Sequence, residues 1–369
     1  DLELEKLFKN LRASILENIS SLKESSPELL RFQSALALQC FTNEYIYSQS
    51  KDEEYAVSVL DNKIKEILSN NEQPSPLEIL ILASYKALHK YDWCQSLIVT
   101  NQIQEVFTRQ VEEPNQEEKL KLKLPILEEI NNKVSSKVRK QYEESPYPRW
   151  VNIGLRLEPA PISKVVEELQ LKLHYEKIYE TKKPKILIAG CGTGRHSIAT
   201  AARFKSSKVL AIDLSLSSLS YAKRKTEELN IDSIEYMQAD ILDLSQLNKK
   251  FDIIESVGVL HHTDNPMKGW KVLRDCLKPG GLMRIGLYSD LARQNIIKIR
   301  EEICQTGVGS SDADIRSFRD IIKKSDKNHH KLIVKFTDFY SLSTIKDLLF
   351  HVQEHRFTIP LIKDHLYRL

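Results

Sequence analysis

Three glycines at alternate positions, Gly190, Gly192 and Gly194, lie between a short apolar run and an alanine-rich helical pattern in Lys185-Ile-Leu-Ile-Ala-Gly-Cys-Gly-Thr-Gly-Arg-His-Ser-Ile-Ala199. Residues without a Cβ reach positive φ and let a ligand approach the backbone, and the helix that follows offers free N–H groups at its start. The chemistry of such a turn is cofactor binding. Cys191, inside it, is explained by its small side chain. A dinucleotide fingerprint would place its third glycine at the sixth position. Here that position is Arg195, a spacing suited to a ligand without a pyrophosphate. Asp213, ending the next strand-like run, is placed to accept hydrogen bonds from both hydroxyls of a ribose. Asp240, ending the run after that, is placed to accept from an exocyclic amine such as adenine N6. A lone glycine loop is weak evidence, but acids at the ends of the next two strands make the pattern specific.

Two further stretches carry reactive side chains. In Tyr142-Glu-Glu-Ser-Pro-Tyr-Pro-Arg-Trp150, Pro146 and Pro148 forbid a helix and bias the residues before them toward extended backbone. The result is a stiff strap dense in Tyr142, Tyr147, Arg149 and Trp150. Such a strap either ties one domain to the next or acts as a lid that brings the Tyr147 hydroxyl or the Arg149 guanidinium over the cofactor. Near the end of the chain, His351-Val-Gln-Glu-His-Arg356 holds two histidines four apart. They are half a metal site at most, and without a further ligand a substrate or interdomain contact is expected rather than a metal.

The elements that must position these residues alternate as a doubly wound α/β sheet requires. Strand patterns at 185–189, 208–213, 234–237, 251–256 and 282–288 are separated by helical ones, with Ser215 and Asn265-Pro266 as helix starts. A sheet of this kind often closes with an antiparallel pair, for which only Leu332–Phe336 is available, so either a truncated C-terminus or an incomplete sheet is expected. Before the strap, leucine, isoleucine and alanine recur at three- and four-residue intervals, which predicts an all-helical domain. It is either an irregular bundle or an array of tetratricopeptide-like helix pairs. The expected organisation is a helical domain over 1–140, the strap and a linker helix over 141–183, the cofactor-binding core over 184–290, and a mostly helical extension over 291–369. Within that extension the basic run Lys323 to Lys331 reads as a solvated loop.

Composition narrows the function classes. The formal net charge of +3 is too small for a protein dominated by phosphate-backbone binding, so nucleic acid is a disfavoured partner. No apolar run reaches the roughly 18 residues of a membrane span. Five cysteines without paired or metal-like spacing fit a reducing cytoplasm.

The motifs Ala-Gly-Cys-Gly-Thr-Gly194, Ala-Ile-Asp-Leu-Ser215, Gln-Ala-Asp-Ile-Leu242, Gly-Val-Leu-His-His262 and Leu-Lys-Pro-Gly-Gly281 resemble, in order and spacing, those of class I S-adenosylmethionine-dependent methyltransferases. The resemblance covers about 185–288 and implies a Rossmann-like fold. More narrowly, the strap and the segment Asp347 to Arg356 resemble a bacterial group whose methyltransferase domain follows tetratricopeptide-like helices. The resemblance implies that Gly190, Cys191, Gly192 and Gly194 wrap the amino-acid part of the cofactor, Asp213 its ribose, and Asp240 with Ile241 its adenine, with Leu214 a further cofactor contact. Ser256 and Gly258 complete the pocket.

Methyl transfer is a displacement at a sulfonium carbon, so the protein aligns the nucleophile and takes its proton where there is one. His261 and His262, just past the fourth strand, are the candidates, with Tyr147 from the strap. The absence of an Asp/Asn-Pro-Pro-Tyr signature after that strand argues against amino methylation of DNA bases. The acceptor is unidentified, with a protein side chain ahead of a small metabolite. The competing reading is a scaffold that holds S-adenosylmethionine without transferring its methyl, and a nicotinamide dehydrogenase is disfavoured by the glycine spacing.

Overall fold

The computed structural model describes residues 1–22, 26–156 and 158–369. The chain divides into two compact units, one made of 1–116 and 295–350, the other of 117–294 and 351–369. These boundaries correct the expected 1–140, 141–183, 184–290 and 291–369. The helix Lys133–Glu144 belongs to the second unit because its end packs on helix Leu216–Glu228: the Ser215 hydroxyl donates to the Tyr142 carbonyl at 3.0 Å. Of the extension, 295–350 completes the helical unit and 351–369 returns to the other. Periodicity shows that a segment is helical, not which core it completes.

The second unit is built on five parallel strands, β1 Lys185–Ala189, β2 Lys208–Asp213, β3 Ile234–Gln238, β4 Phe251–Val257 and β5 Leu277–Gly286, in the order β3-β2-β1-β4-β5. The central strand is buried on both faces, as a parallel sheet demands. Ile186 and Ile188 meet Ile198, Leu219 and Ala222 on one side, while Leu187 and Ala189 meet Leu260 and Leu273 on the other. Chain order reverses between β1 and β4, which opens a crevice at the carboxyl ends of these two strands. The helices Leu216–Glu228 and Pro266–Cys276 start where expected, with Ser218 N–H donating to Ser215 Oγ and Lys268 N–H to Asn265 Oδ1, both at 3.0 Å.

Among the described residues the sheet has five strands, in line with the incomplete sheet expected. Its free edges are covered by short segments, as edge strands need. Gln238 N–H donates to the Pro125 carbonyl and Leu127 N–H to the Gln238 carbonyl, each at 2.9 Å. At the other edge Phe357 N–H donates to the Tyr288 carbonyl at 2.8 Å. The segment Leu332–Phe336 is not a strand. It overlaps the helix Asn328–Ile333, in which His330 and Ile333, three apart, share the buried side. The run expected as a loop therefore contains a packed helix.

The first unit is helical. Ser75 and Glu78 form a reciprocal cap on helix Pro76–Ala83, seven of whose eight residues are buried. A second apolar cluster joins Leu36, Cys40 and Ile46 to Ile315, Phe318, Phe339 and Ile345 from the far end of the chain. Beside it the Arg319 guanidinium is paired with Glu5, with side-chain exposures of 1% and 6%, and Lys323 adds a second cation 3.1 Å from Glu5.

Candidate functional site

The glycine loop leaves the crevice end of β1 with Gly190, Gly192 and Gly194 all at positive φ. Gly190 and Cys191 N–H both donate to the Ile212 carbonyl at 2.9 Å, and Gly192 N–H donates to Asp213 Oδ2 at 2.8 Å. The atoms that crowd these glycines belong to the protein itself. A Cβ on Gly190 would lie 2.3 Å from Val259, one on Gly192 2.6 Å from the Tyr147 carbonyl oxygen, and one on Gly194 2.6 Å from Ala222. The spacing that reads as room for a ligand is thus also what lets the loop seat against β4's exit, the strap and the helix Leu216–Glu228.

The strap lies directly on this loop. Thr193 Oγ1 donates to the Pro148 carbonyl, Thr193 N–H faces the Tyr147 carbonyl at 3.4 Å, and Trp150 Nε1 donates to the Thr193 carbonyl at 3.1 Å. The Tyr221 hydroxyl donates to the Trp150 carbonyl. Trp150 is buried while Tyr147 keeps part of its side chain in solvent. Glu143, which the sequence did not single out, accepts from Ser217 N–H at 3.2 Å at the start of helix Leu216–Glu228, where the helix dipole favours an acid. The signal that could have found it is the helix pattern running up to Glu144, which carries this acid on the turn before the strap.

Asp213 ends β2 with Oδ1 accepting from Ser215 N–H at 3.0 Å. Burial pushes its carboxyl up, while the three backbone N–H bonds it receives pull the other way. A carboxylate offers about four lone-pair sites, and the three N–H bonds take three of them, so one remains to accept from a ribose hydroxyl. Asp240 is buried and caps the turn Ile241–Leu247, with Leu242 N–H donating to Oδ1 at 2.9 Å. That leaves Oδ2 on the same side chain for an amine. Ile241 is buried next to it, and the Leu214 carbonyl accepts from Gln238 Nε2 at 2.7 Å. Ser256 Oγ donates to the Ala189 carbonyl at 3.0 Å and so ties β4 to β1 at the crevice. Gly258, at φ +81°, has no atom within 4 Å of where a Cβ would stand. Burial raises the Cys191 thiol well above its ordinary value, so it is an inert small group in the loop wall. Glu255 points from β4 to the helix Arg195–Arg203, where it accepts from Thr200 Oγ1 at 2.8 Å and pairs with His196.

His261 and His262 sit in a stack of rings. His261 lies flat on Tyr288 at 3.6 Å between centroids, and His262 lies flat on His351 at 3.5 Å. His351 Nε2 is 3.1 Å from the Tyr142 hydroxyl. His261 has no exposed surface, and neither of its ring nitrogens has a hydrogen-bond partner. Burial, helped by the neighbouring His262, pushes it down to about 2. The His262 ring is fixed through Nδ1 by the Gln353 carbonyl at 2.7 Å. Arg293, missed at the sequence level, lies over the Tyr288 ring and bonds Glu354 at 3.0 and 2.6 Å. The segment 351–357 is thereby held on the turn after β4, and His355 N–H donates to the His261 carbonyl at 2.7 Å. His351 and Glu354 were legible as unusual in number, but their neighbours were not.

Residues 186–281 match the family described as a methyltransferase domain. Relatives include an uncharacterized protein of Synechococcus sp., 37% identical over 33% of this chain and 29% of its own length. A ubiquinone biosynthesis O-methyltransferase of Coxiella burnetii is 30% identical over 36% of this chain and 53% of its own length. The chain therefore spans about a third to a half of the length of the curated relatives it matches. The solved structure of PKMT2 from Rickettsia typhi in complex with AdoHcy shares 23% identity over 50% of this chain and 38% of that one, with a TM-score of 0.41. The family match, the strand order and the loop define the stretch 186–281 as a class I S-adenosylmethionine-dependent methyltransferase domain. Its cofactor is S-adenosylmethionine, and the residues present fit it: lone pairs remain on Asp213 and Asp240, and the space at Gly258 is open. Among the described residues no helix is long and apolar enough to cross a membrane.

Proposed function

We propose that the chain transfers the methyl group of S-adenosylmethionine to an acceptor, a protein side chain ahead of a small metabolite, in the cytoplasm. The observation that carries the donor half is the Asp213 carboxylate bonded to Gly192 N–H, which sets a ribose acceptor and the glycine loop at fixed geometry. The bound cofactor supplies a methyl already activated on a sulfonium. What remains for the chain is to align the nucleophile and exclude water. Gly190, Cys191, Gly192 and Gly194 hold the amino-acid portion, Asp213 and Leu214 the ribose, Asp240 and Ile241 the adenine, and Ser256 and Gly258 the floor of the pocket.

For the acceptor side we assign direct contact to Tyr147 and His262 and a supporting role to His261. The Gln353 carbonyl makes Nδ1 of His262 the protonated nitrogen, so Nε2 is the basic one. His261, with its value near 2, stays neutral and accepts a proton poorly at neutral pH. His261→Phe keeps the ring on Tyr288 and removes two unpaired buried nitrogens, a change expected to be neutral or stabilising. Methyl transfer should stay within a few-fold of wild type. A drop of the ~10² to 10⁴ that a proton-transfer group supplies, in a folded protein, would return His261 to the chemistry.

The preference for a protein acceptor rests on the helical unit, since helical surfaces are common peptide binders. Its helices of 16, 16 and 19 residues followed by one of 8 hold no constant period, so we read an irregular bundle ahead of tetratricopeptide-like repeats. Five free thiols support a reducing compartment. The test is calorimetry with S-adenosylhomocysteine and NAD, then label transfer from methyl-labelled S-adenosylmethionine into a lysate split into protein and small-molecule fractions. S-adenosylhomocysteine binding with label in protein is expected. Label only in small molecules moves the acceptor class toward that of the ubiquinone-pathway relative. Binding without transfer, unchanged in Tyr147→Phe and His262→Ala, favours the scaffold.

A further inference from the structure

The helix Gln294–Thr306 and the short helix Asn328–Ile333 bring one carboxylate against two imidazoles. Glu302 Oε1 lies 2.7 Å from His329 Nε2, and Oε2 lies 3.0 Å from His330 Nε2. One ligand atom from each of the three residues lies within 4.8 Å of the others. His330 is only 2% exposed, yet neither of its ring nitrogens has an aligned hydrogen-bond partner, because Glu302 is close but off axis. A buried polar nitrogen left unsatisfied is costly and calls for a partner. His329 and Glu302 keep some exposure, so the cluster has a path to solvent.

We propose that Glu302, His329 and His330 form a binding site for a first-row divalent metal ion, with Zn²⁺ the best match to the donor set. Two imidazole nitrogens and one carboxylate are borderline ligands of the kind zinc takes, whereas Mg²⁺ and Ca²⁺ want oxygen alone. Tetrahedral zinc with bonds of about 2.0 Å sets neighbouring ligand atoms about 3.3 Å apart. The two nitrogen–oxygen pairs, each to a different oxygen of Glu302, fall short of that spacing by about 0.3 to 0.6 Å, so the carboxylate turns to present one oxygen and the imidazoles draw back by that much to admit the ion. Three protein ligands leave a fourth position for water. The ion takes the in-plane lone pair of Nε2 on each imidazole and clasps two helices separated by the segment 307–327.

Lys327 is the competitor. Its ammonium lies 3.0 Å from Glu302 Oε1 and its side chain is 56% exposed, so it neutralises the carboxylate without the metal and can swing into water when the metal enters. A simple ion-pair clasp and a metal site therefore respond in opposite ways to Lys327→Ala. The first is weakened by the loss of a partner, the second binds its ion more tightly.

The full chain, stripped with chelator and dialysed, is titrated with Zn²⁺ by calorimetry and with Co²⁺ by visible absorption, and its unfolding temperature is recorded with and without Zn²⁺. One ion per chain, a four-coordinate Co²⁺ spectrum and a rise in unfolding temperature are expected. His329→Ala, His330→Ala and Glu302→Gln should each weaken binding by at least about 10- to 100-fold, the loss that even outer-shell changes cause, and Lys327→Ala should tighten it. An unchanged metal-free unfolding transition of the helical unit, followed by circular dichroism, shows that each variant is folded. A wild-type chain that takes up no Co²⁺, uptake unchanged in His329→Ala and His330→Ala, or weaker binding in Lys327→Ala overturns the site.

Discussion

Gly192→Val is expected to abolish binding of S-adenosylmethionine and S-adenosylhomocysteine. At φ +52° a β-branched residue is a backbone outlier, and its Cβ would stand 2.6 Å from the Tyr147 carbonyl oxygen. A backbone oxygen cannot rotate away as a side-chain tip can, so either the loop or the strap must move. Moving the loop breaks the Gly192 N–H bond to Asp213, a bond to a charged group worth about 1.5–3 kcal/mol. The left-handed conformation costs about 1–2 kcal/mol more. At about 1.4 kcal/mol per factor of ten, the two together predict a loss of at least about a hundredfold, read by calorimetry with S-adenosylhomocysteine. Gly307→Ala is the control, since Gly307 also has positive φ but no neighbour within 4 Å of its Cβ and lies in the other unit. Wild-type affinity in Gly192→Val would show that the loop does not hold the cofactor.

Glu5→Gln should produce the largest loss of stability in the helical unit. It leaves the buried Arg319 guanidinium without its counter-ion, and breaking one side of a buried pair costs about 3–5 kcal/mol. Replacing both partners, Glu5→Leu with Arg319→Met, should recover much of that loss, because two uncharged groups no longer require each other. Denaturant unfolding of the full chain, followed at its first transition, reads both variants. Equal midpoints for wild type and Glu5→Gln would rule the pair out as a stabiliser. Burial raises the Glu5 carboxyl, but Arg319 and Lys323 outweigh it and hold the group below its ordinary value of 4.5. The contribution is therefore full above that value and is lost as pH falls through the lower folded one. Glu5→Gln should flatten that acid limb of the stability profile.

The α/β half was legible because its rules are local. A buried parallel strand reads as an unbroken apolar run such as Ile186–Ala189, and a helix start announces itself as Ser215 or Asn265-Pro266. The glycines and Asp213 are fixed by turn geometry a few residues long, so spacing alone located them. What spacing could not show is what fills the space beside each glycine. Val259, the Tyr147 carbonyl and Ala222 come from three other elements. The ring stack was half legible. His261 and His262 stood out as a pair, but Tyr288, Arg293 and the returning 351–357 segment join them through contacts some 30 to 90 residues away, for which no periodicity exists. The short strand suggested at Leu332–Phe336 failed for a related reason. A three-residue repeat with a buried histidine carries no more apolar signal than a strand of the same length, and only packing chooses between them.

The split of the helical unit into 1–116 and 295–350 sets an order on its synthesis. When the ribosome has released the first segment, Leu36, Cys40 and Ile46 are made, but Ile315, Phe318 and Ile345, which cover them, are not. Translation must run through the entire five-stranded sheet before that core can close, and at about 5–20 residues per second the delay is on the order of ten seconds or more. The sheet is the part whose strands are all delivered first. A fragment cut after residue 116 would keep the cluster running from Leu16 to Val111 but leave Leu36, Cys40 and Ile46 uncovered, so isolating the whole helical unit requires joining 116 to 295 through a new linker.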